Sequence, residues 1–306
     1  MRVDKLLEIC KALDIRPDYL EEIGLFQRKY PISLDQPEIY KLMTHIIKEG
    51  DSKRGKNPQA AYNNLDPNLH NIVAALVEAL GGHWSRRIGK DNAPVTQIDT
   101  TTVRALVKAG LVPGRKASGQ YFHHLPDLML EDHALSKYHL SATFTEEGWP
   151  SLVLEKDKRP RFLIGYSRSI DVTENLPEDF RQSLEVGEKL SVGDIPNHVR
   201  AELYLIPFAL LDDEIKMIEE NLHDSPNVNL VSLYKSKDEK ITAEWRVSFY
   251  GPTMVEKFRE EIGFLPGIEV ATRFEELWGV YTEIKDKKLS QEDIEKLRKK
   301  LSGDAH

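Results

Sequence analysis

Apolar positions recur at helical spacing along most of this chain, and short alternating runs separate the helical stretches. Val3, Leu6, Leu7, Cys10 and Leu13 mark an amphipathic helix, and residues 17–23 a shorter one. Ile39, Leu42, Met43, Ile46 and Ile47 then fall at i, i+3, i+4, i+7 and i+8, the stripe of a second amphipathic helix. Asp35 is its expected N-cap, with Pro37 and Glu38 in the first turn, and Gly50 its expected left-handed terminator. Residues 51–56 read as a turn and Pro58–Asn63 as a strand. Leu69, Ile72, Val73, Leu76, Val77 and Leu80 predict a helix opened by Asp66-Pro67-Asn68 and stopped by Gly81-Gly82. Trp84–Ile88 with Val95–Ile98 reads as a hairpin, and Asp99 caps a helix with Val103, Leu106, Val107 and Leu111 on its apolar side.

The same order then starts again. Leu140–Gly148 echoes Leu42–Gly50, followed by strands at Ser151–Glu155 and Arg161–Tyr166. Residues 171–211 read as an insertion. After it come a helix at Asp213–Leu222, a hairpin of Val228–Tyr234 with Ile241–Phe249, and a helix at Thr253–Ile262. A second echo supports the duplication: Ala109-Gly110-Leu111-Val112-Pro113-Gly114 against Ile262-Gly263-Phe264-Leu265-Pro266-Gly267. The expected organisation is α+β, with a helical extension at 1–34, repeats at 35–128 and 129–268, and a helical tail at 269–306.

Both echoing nonamers end in Glu-Gly, at Glu49-Gly50 and Glu147-Gly148. A carboxylate at a helix C-terminus is disfavoured by roughly 0.3–1 kcal/mol. Two such acids brought together repel, unless a divalent cation between them turns repulsion into binding.

Leu42–Gly50 and Leu140–Gly148 resemble degenerate copies of the LAGLIDADG motif of homing endonucleases, with Glu in place of the usual Asp. The resemblance implies two pseudo-symmetric αββαββα repeats, although only one strand of the first pair is visible in the sequence. It implies motif helices packed side by side, for which Ser141 and Ala142 are suitably small. The metal positions it implies are Glu49 and Glu147 with the adjoining Gly50 and Gly148, holding Mg2+ or Mn2+ for a double-strand cut in DNA. It further implies a pseudo-dimeric monomer whose two sheets form a saddle over the major groove. Hairpin residues placed to meet the duplex are Arg86, Arg87, Lys90, Lys156, Lys158, Arg159, Arg161, Lys235, Lys237 and Arg246. Arg86 and Arg161 lead this group because they lie in or beside strands. Lys116, Arg168 and Arg246 are candidates for a basic residue near the phosphate. Lys48 stands before Glu49 where the second motif has Glu146, so the half-sites are electrically unequal.

A net charge of −8 over 306 residues weighs against a phosphate-binding partner, but its distribution is uneven. Residues 31–125 hold twelve Lys/Arg against eight Asp/Glu, whereas residues 126–306 hold 24 against 36. No apolar run approaches membrane-spanning length and the N-terminus lacks a signal-peptide core, so a cytoplasmic protein is expected. The single Cys10, expected in the core, excludes an internal disulfide. Gly50–Asn57 nearly spells a phosphate-binding loop, but it follows a helix and ends in Asn57. His123, His124, His133 and His139 lack the spacing of a helical zinc site, and no nucleophile-elbow pattern surrounds Ser167, Ser169 and Asp171. His45 is expected to be a packed interface histidine. The rival reading is a non-cleaving nucleic-acid-binding protein of the same fold, as in WhiA-type regulators. RNA is a further possible ligand.

Overall fold

The computed structural model describes residues 32–53, 58–89, 92–114 and 120–302. The two helices expected at the N-terminus with Cys10, residues 54–56 of the expected turn, Lys90 and Lys116 lie outside the described residues.

Helix α1 (Pro37–Lys48) leads into strands β1 (Gly50–Lys53) and β2 (Gln59–Asn63), helix α2 (Pro67–Ala79), the hairpin β3 (Trp84–Ile88) and β4 (Pro94–Ile98), and helix α3 (Thr100–Lys108). The strands form an antiparallel sheet in the order β1-β2-β4-β3. Residues 51–53, expected as a turn, are thus the missing strand of the first pair. β1 carries no apolar side chain, so alternation could not reveal it; pairing with β2 holds it, Gly50 opposite Tyr62 and Lys53 opposite Gln59.

The second half repeats this plan. After the short helix α4 (Asp127–Glu131) come α5 (His133–Glu147), β5 (Gly148–Val153) and β6 (Arg161–Asp171). The insertion supplies α6 (Glu178–Ser183), β7 (Lys189–Ser191) and α7 (Asn197–Leu203). Then follow α8 (Ala209–Leu222), β8 (Asn227–Lys235), β9 (Ile241–Tyr250) and α9 (Pro252–Glu261). The sheet order β5-β6-β9-β8 matches the first sheet, and β7 adds a fifth strand beside β8. The insertion therefore covers a sheet edge that would otherwise offer unpaired backbone. Leu176, Leu184, Ile195, Val199 and Leu203 from this segment join the main core. Gly110 and Gly263 take positive φ values of 116° and 66° just after α3 and α9, equivalent places in the two halves.

The tail forms α10 (Glu269–Ile284) and α11 (Gln291–Ser302). Phe274, Trp278 and Tyr281 of α10 pack edge-on against Phe162 of β6, with centroids 5.4–5.7 Å away. Leu154, Ile284, Leu289 and Ile294 make a small second core, and the Asp157 amide donates to the Leu289 carbonyl at 3.0 Å. The tail thereby anchors the β5–β6 turn.

Both motif helices are buried on every side: residues 42–48 of α1 and 139–145 of α5 are buried without a break. Such a helix has structure on both faces. Each rests on its own sheet and packs against the other at a seam, where Ser141 and Ala142 are buried as expected. Two expectations at the helix ends need correction. The N-cap of α1 is Gln36, without a side-chain bond, because Asp35 is turned to the Ser33 hydroxyl. Neither Gly50 nor Gly148 is left-handed; Gly148 has φ −95° and ψ 170°, and each glycine opens a strand. What excludes a side chain there is space. A Cβ on Gly50 would lie 2.5 Å from the Ile46 Cα, and one on Gly148 2.4 Å from the Phe144 carbonyl oxygen. The chain turns from helix to strand too tightly for any other residue.

Candidate functional site at the paired helices

The polar residues of α1 meet polar residues of α5 in the seam. Thr44 Oγ1 lies 3.1 Å from His139 Nδ1. His45 is fully buried; its Nδ1 contacts Glu146 Oε1 and its Nε2 lies 2.8 Å from the Tyr138 hydroxyl. Tyr62 of β2 donates to the same Glu146 oxygen at 2.9 Å, and its ring meets His45 edge-on at 5.9 Å. Burial and the Glu146 charge push the Tyr62 and Tyr138 hydroxyls above their ordinary pKa, so both remain donors. His45 is an interface histidine here, closed off from any substrate.

At the other end of the seam four charged side chains converge. Glu214 of α8, fully buried, accepts from Lys48 of α1, from His139 Nε2 at 3.3 Å, and from Arg168 of β6 through Nε at 3.1 Å and Nη2 at 2.8 Å. The third arm of Arg168, Nη1, reaches Glu147 Oε2. Aromatic faces hold the guanidinium on two sides: Tyr121 at 5.6 Å and Tyr166 at 5.3 Å from Cζ to ring centroid. Burial would raise the Glu214 pKa, but Arg168 and Lys48 outweigh it and hold the carboxyl well below its usual range. Burial, followed by repulsion from Arg168, pushes Lys48 down to about 7 despite Glu214. Burial and the Lys48 charge push His139 down to about 4, so it is neutral and, facing a carboxylate, carries its proton on Nε2.

The two acids singled out in the sequence border this cluster. Glu49 caps α1: its amide donates to the His45 carbonyl at 2.9 Å and its carbonyl accepts from Asn63 of β2 at 3.1 Å. Its charge acts on Tyr62 and on Tyr121, the ring beside Arg168. Glu147 ends α5 with its side chain 14% exposed and bound to Arg168. A divalent ion shared by these acids needs carboxylates with charge to spare, and Glu147 is already compensated. Among the described residues no group of three or more His, Cys, Asp and Glu side chains converges as a metal-holding set. As arranged, Glu147 has no charge to spare for such an ion.

Strand register sorts the expected nucleic-acid contacts by face, because cross-strand partners share a side of the sheet. Arg86 stands opposite Thr96, whose hydroxyl meets His70 of α2 at 2.7 Å, so Arg86 belongs to the helix-covered side. It donates to Asn71 of α2 and lies 5.3 Å from the Trp84 ring. Arg87 points the other way, to the open face with Asn63 and Gln97. On the second sheet the open face carries Arg161, Ser167, Asn229, Arg246 and Ser248. Arg246 is half-buried with its Cζ 5.3 Å from the Trp149 ring, and Arg161 pairs with Glu155. Lys235 instead donates to the Arg181 and Leu184 carbonyls at 3.1 and 2.9 Å, tying the insertion down. Lys156, Lys158, Arg159 and Lys237 are exposed in the hairpin turns, Lys158 paired with Glu155. Of the other residues weighed in the sequence, His124 bonds Asp213 at 2.9 Å and Asp171 pairs with Lys240 at 2.5 Å.

Sequence reasoning missed Glu214, Tyr62 and Tyr138. Glu214 hides in the acidic run Asp212-Asp213-Glu214, yet it falls on the stripe of Leu210, Met217 and Ile218, a signal that it is buried. Tyr62 and Tyr166 are equivalent, each opposite its motif glycine, a relation that only the strand register reveals.

Helix order, repeated strand order and a shared seam define a duplicated αββαββα fold. No protein-family model matches the chain, and no curated protein matches it. Solved structures that it resembles include LAGLIDADG proteins at low identity. The meganuclease I-AabMI bound to uncleaved DNA is 12% identical with a TM-score of 0.48, over 87% of this chain and 98% of that one. Full-length DUF199/WhiA from Thermatoga maritima is 12% identical with a TM-score of 0.42, over 90% of this chain and 69% of that one. I-DmoI in complex with DNA and Mn is 12% identical with a TM-score of 0.37, over 74% of this chain and 96% of that one. Among the described residues no helix is long and apolar enough to cross a membrane.

Proposed function

We propose that this chain binds double-stranded DNA through the open faces of its two sheets and does not cut it. The observation that carries this reading is the register. It directs Asn63, Gln97 and Arg87 on one sheet, and Ser167, Asn229 and Arg246 on the other, away from the helix layer. Amides, hydroxyls and guanidinium groups supply the donors and acceptors that match base edges in the major groove. Cations are few on these faces, so the phosphate contribution to affinity is modest and base contacts carry more of it.

The test is selection of duplexes from a random library, followed by anisotropy with the selected site. Arg87→Ala and Arg246→Ala should each weaken the selected duplex by about 1–3 kcal/mol if they meet bases. A double-stranded RNA of the same sequence should bind poorly, since its deep, narrow major groove excludes side chains. Equal affinity for both duplexes, or none for either, refutes the proposal.

Cleavage is the second reading. One observation favours it: Glu49 and Glu147 both stand at the ends of the paired helices, each before a strand-opening glycine. Plasmid incubated with Mg2+ or Mn2+ decides between the two. Cutting that Glu49→Gln and Glu147→Gln both abolish would establish the nuclease.

A further inference from the structure

We infer that Arg168 is the resident counter-charge of Glu147 and stands in for a divalent cation at the paired helix ends, so that duplex binding by this chain is metal-independent. The inference rests on the DNA-binding reading and concerns the ion balance of the same site.

Arg168 is built in. Its side chain is 1% exposed, lies against the faces of Tyr121 and Tyr166, and spends every arm on a carboxylate: Nη1 on Glu147, Nε and Nη2 on Glu214. A guanidinium matches this forked geometry and keeps its proton at any ordinary pH. It cannot reach a phosphate on the open face without abandoning two carboxylates, one of them fully buried, so it does not serve as the phosphate-facing basic residue the sequence suggested.

The charge count points the same way. Arg168 keeps a full positive charge against Glu147 and Glu214, and the Lys48 amine is already bound to Glu214. A divalent ion placed at Glu147 would face the buried Arg168 guanidinium, in surroundings where like charges repel strongly. Lys48 of α1 and Arg168 of β6 come from opposite repeats and meet on one acid. The ionic clamp therefore joins the repeats, as a shared metal would.

The full-length protein, free and bound to duplex, is titrated with Mn2+ while unbound Mn2+ is followed by electron paramagnetic resonance and the melting temperature by fluorescence. Expected are no stoichiometric Mn2+ uptake, an unmoved melting temperature, and duplex affinity indifferent to EDTA. Arg168→Met strips the counter-charge from Glu147, and Mn2+ should then raise the melting temperature of that variant. Glu147→Gln added to it should remove the response. Stoichiometric Mn2+ binding by the wild-type chain that Glu147→Gln abolishes overturns the inference, as does a folded Arg168→Met protein indifferent to Mn2+. If Arg168→Met does not fold, the wild-type titration decides alone: no uptake supports the inference and stoichiometric uptake overturns it. Absence of duplex binding under every condition is a failure of the DNA-binding reading, and the Mn2+ titration of the free protein still judges this one.

Discussion

Replacing Glu214 with Gln keeps the side chain's shape and deletes the charge on which Lys48, His139 and Arg168 converge. Removing one partner of a buried ion pair costs about 3–5 kcal/mol, because the other charge is left uncompensated. The two cations do not share that cost equally. Lys48, with its pKa already pushed to about 7, can shed its proton at neutral pH. Going from half to fully neutral costs it only a few tenths of a kcal/mol, on the order of RT ln 2. Arg168 has no such exit and loses two charge-assisted bonds, keeping only Glu147. Such bonds are worth roughly 1.5–3 kcal/mol each. Glu214→Gln should therefore lose about 3–5 kcal/mol, nearly all through Arg168. Lys48→Met should be close to neutral, since an apolar side chain replaces a buried amine and Glu214 keeps its guanidinium. The assay is urea unfolding at pH 7 by tryptophan fluorescence and circular dichroism, for both single variants and the double variant. A loss under about 1 kcal/mol for Glu214→Gln, or an equal loss for Lys48→Met, would refute this account.

The same groups predict a pH profile. His139 is neutral in the fold down to about pH 4, whereas an unfolded histidine takes up its proton near 6.5. The unfolded chain thus binds more protons between these values, and stability should fall as pH drops from 6.5 to 4, by up to roughly 3 kcal/mol from this residue. His139→Leu should flatten that limb of the unfolding profile. Lys48 acts on the alkaline side: between pH 7 and 10.5 only the unfolded chain holds its proton, so stability should rise with pH and cease to do so in Lys48→Met. Gly50→Ala and Gly148→Ala press a Cβ onto helix backbone and should each cost about 1–3 kcal/mol or more in urea unfolding. Gly279→Ala, in the exposed interior of α10 with nothing within 4 Å of the added carbon, should instead stabilise by about 1 kcal/mol.

The amino-acid order by itself determined the elements and their duplication. Periodicity placed α1, α2, α3, α8 and α9, and the hairpins β3–β4 and β8–β9, because each of those segments carries enough apolar residues for its period to be counted. Where the period lacks apolar side chains it was silent, and β1, with Gly50, Asp51, Ser52 and Lys53, is held by the backbone partners that the fold brings to it, β2 above all. Spacing likewise marked Glu49 and Glu147 as matched acids but left open what faces them. That depended on tertiary structure alone. Arg168 lies 21 positions after Glu147 and Glu214 a further 46 on, and no local pattern ties residues so far apart. Arg86 and Arg87 are neighbours in sequence and opposite in consequence, since a period of two sends them to different faces and only strand pairing decides which face is covered. Local order writes the period of each element; which side of it meets water, and which charge meets which, depends on what the rest of the chain packs against it.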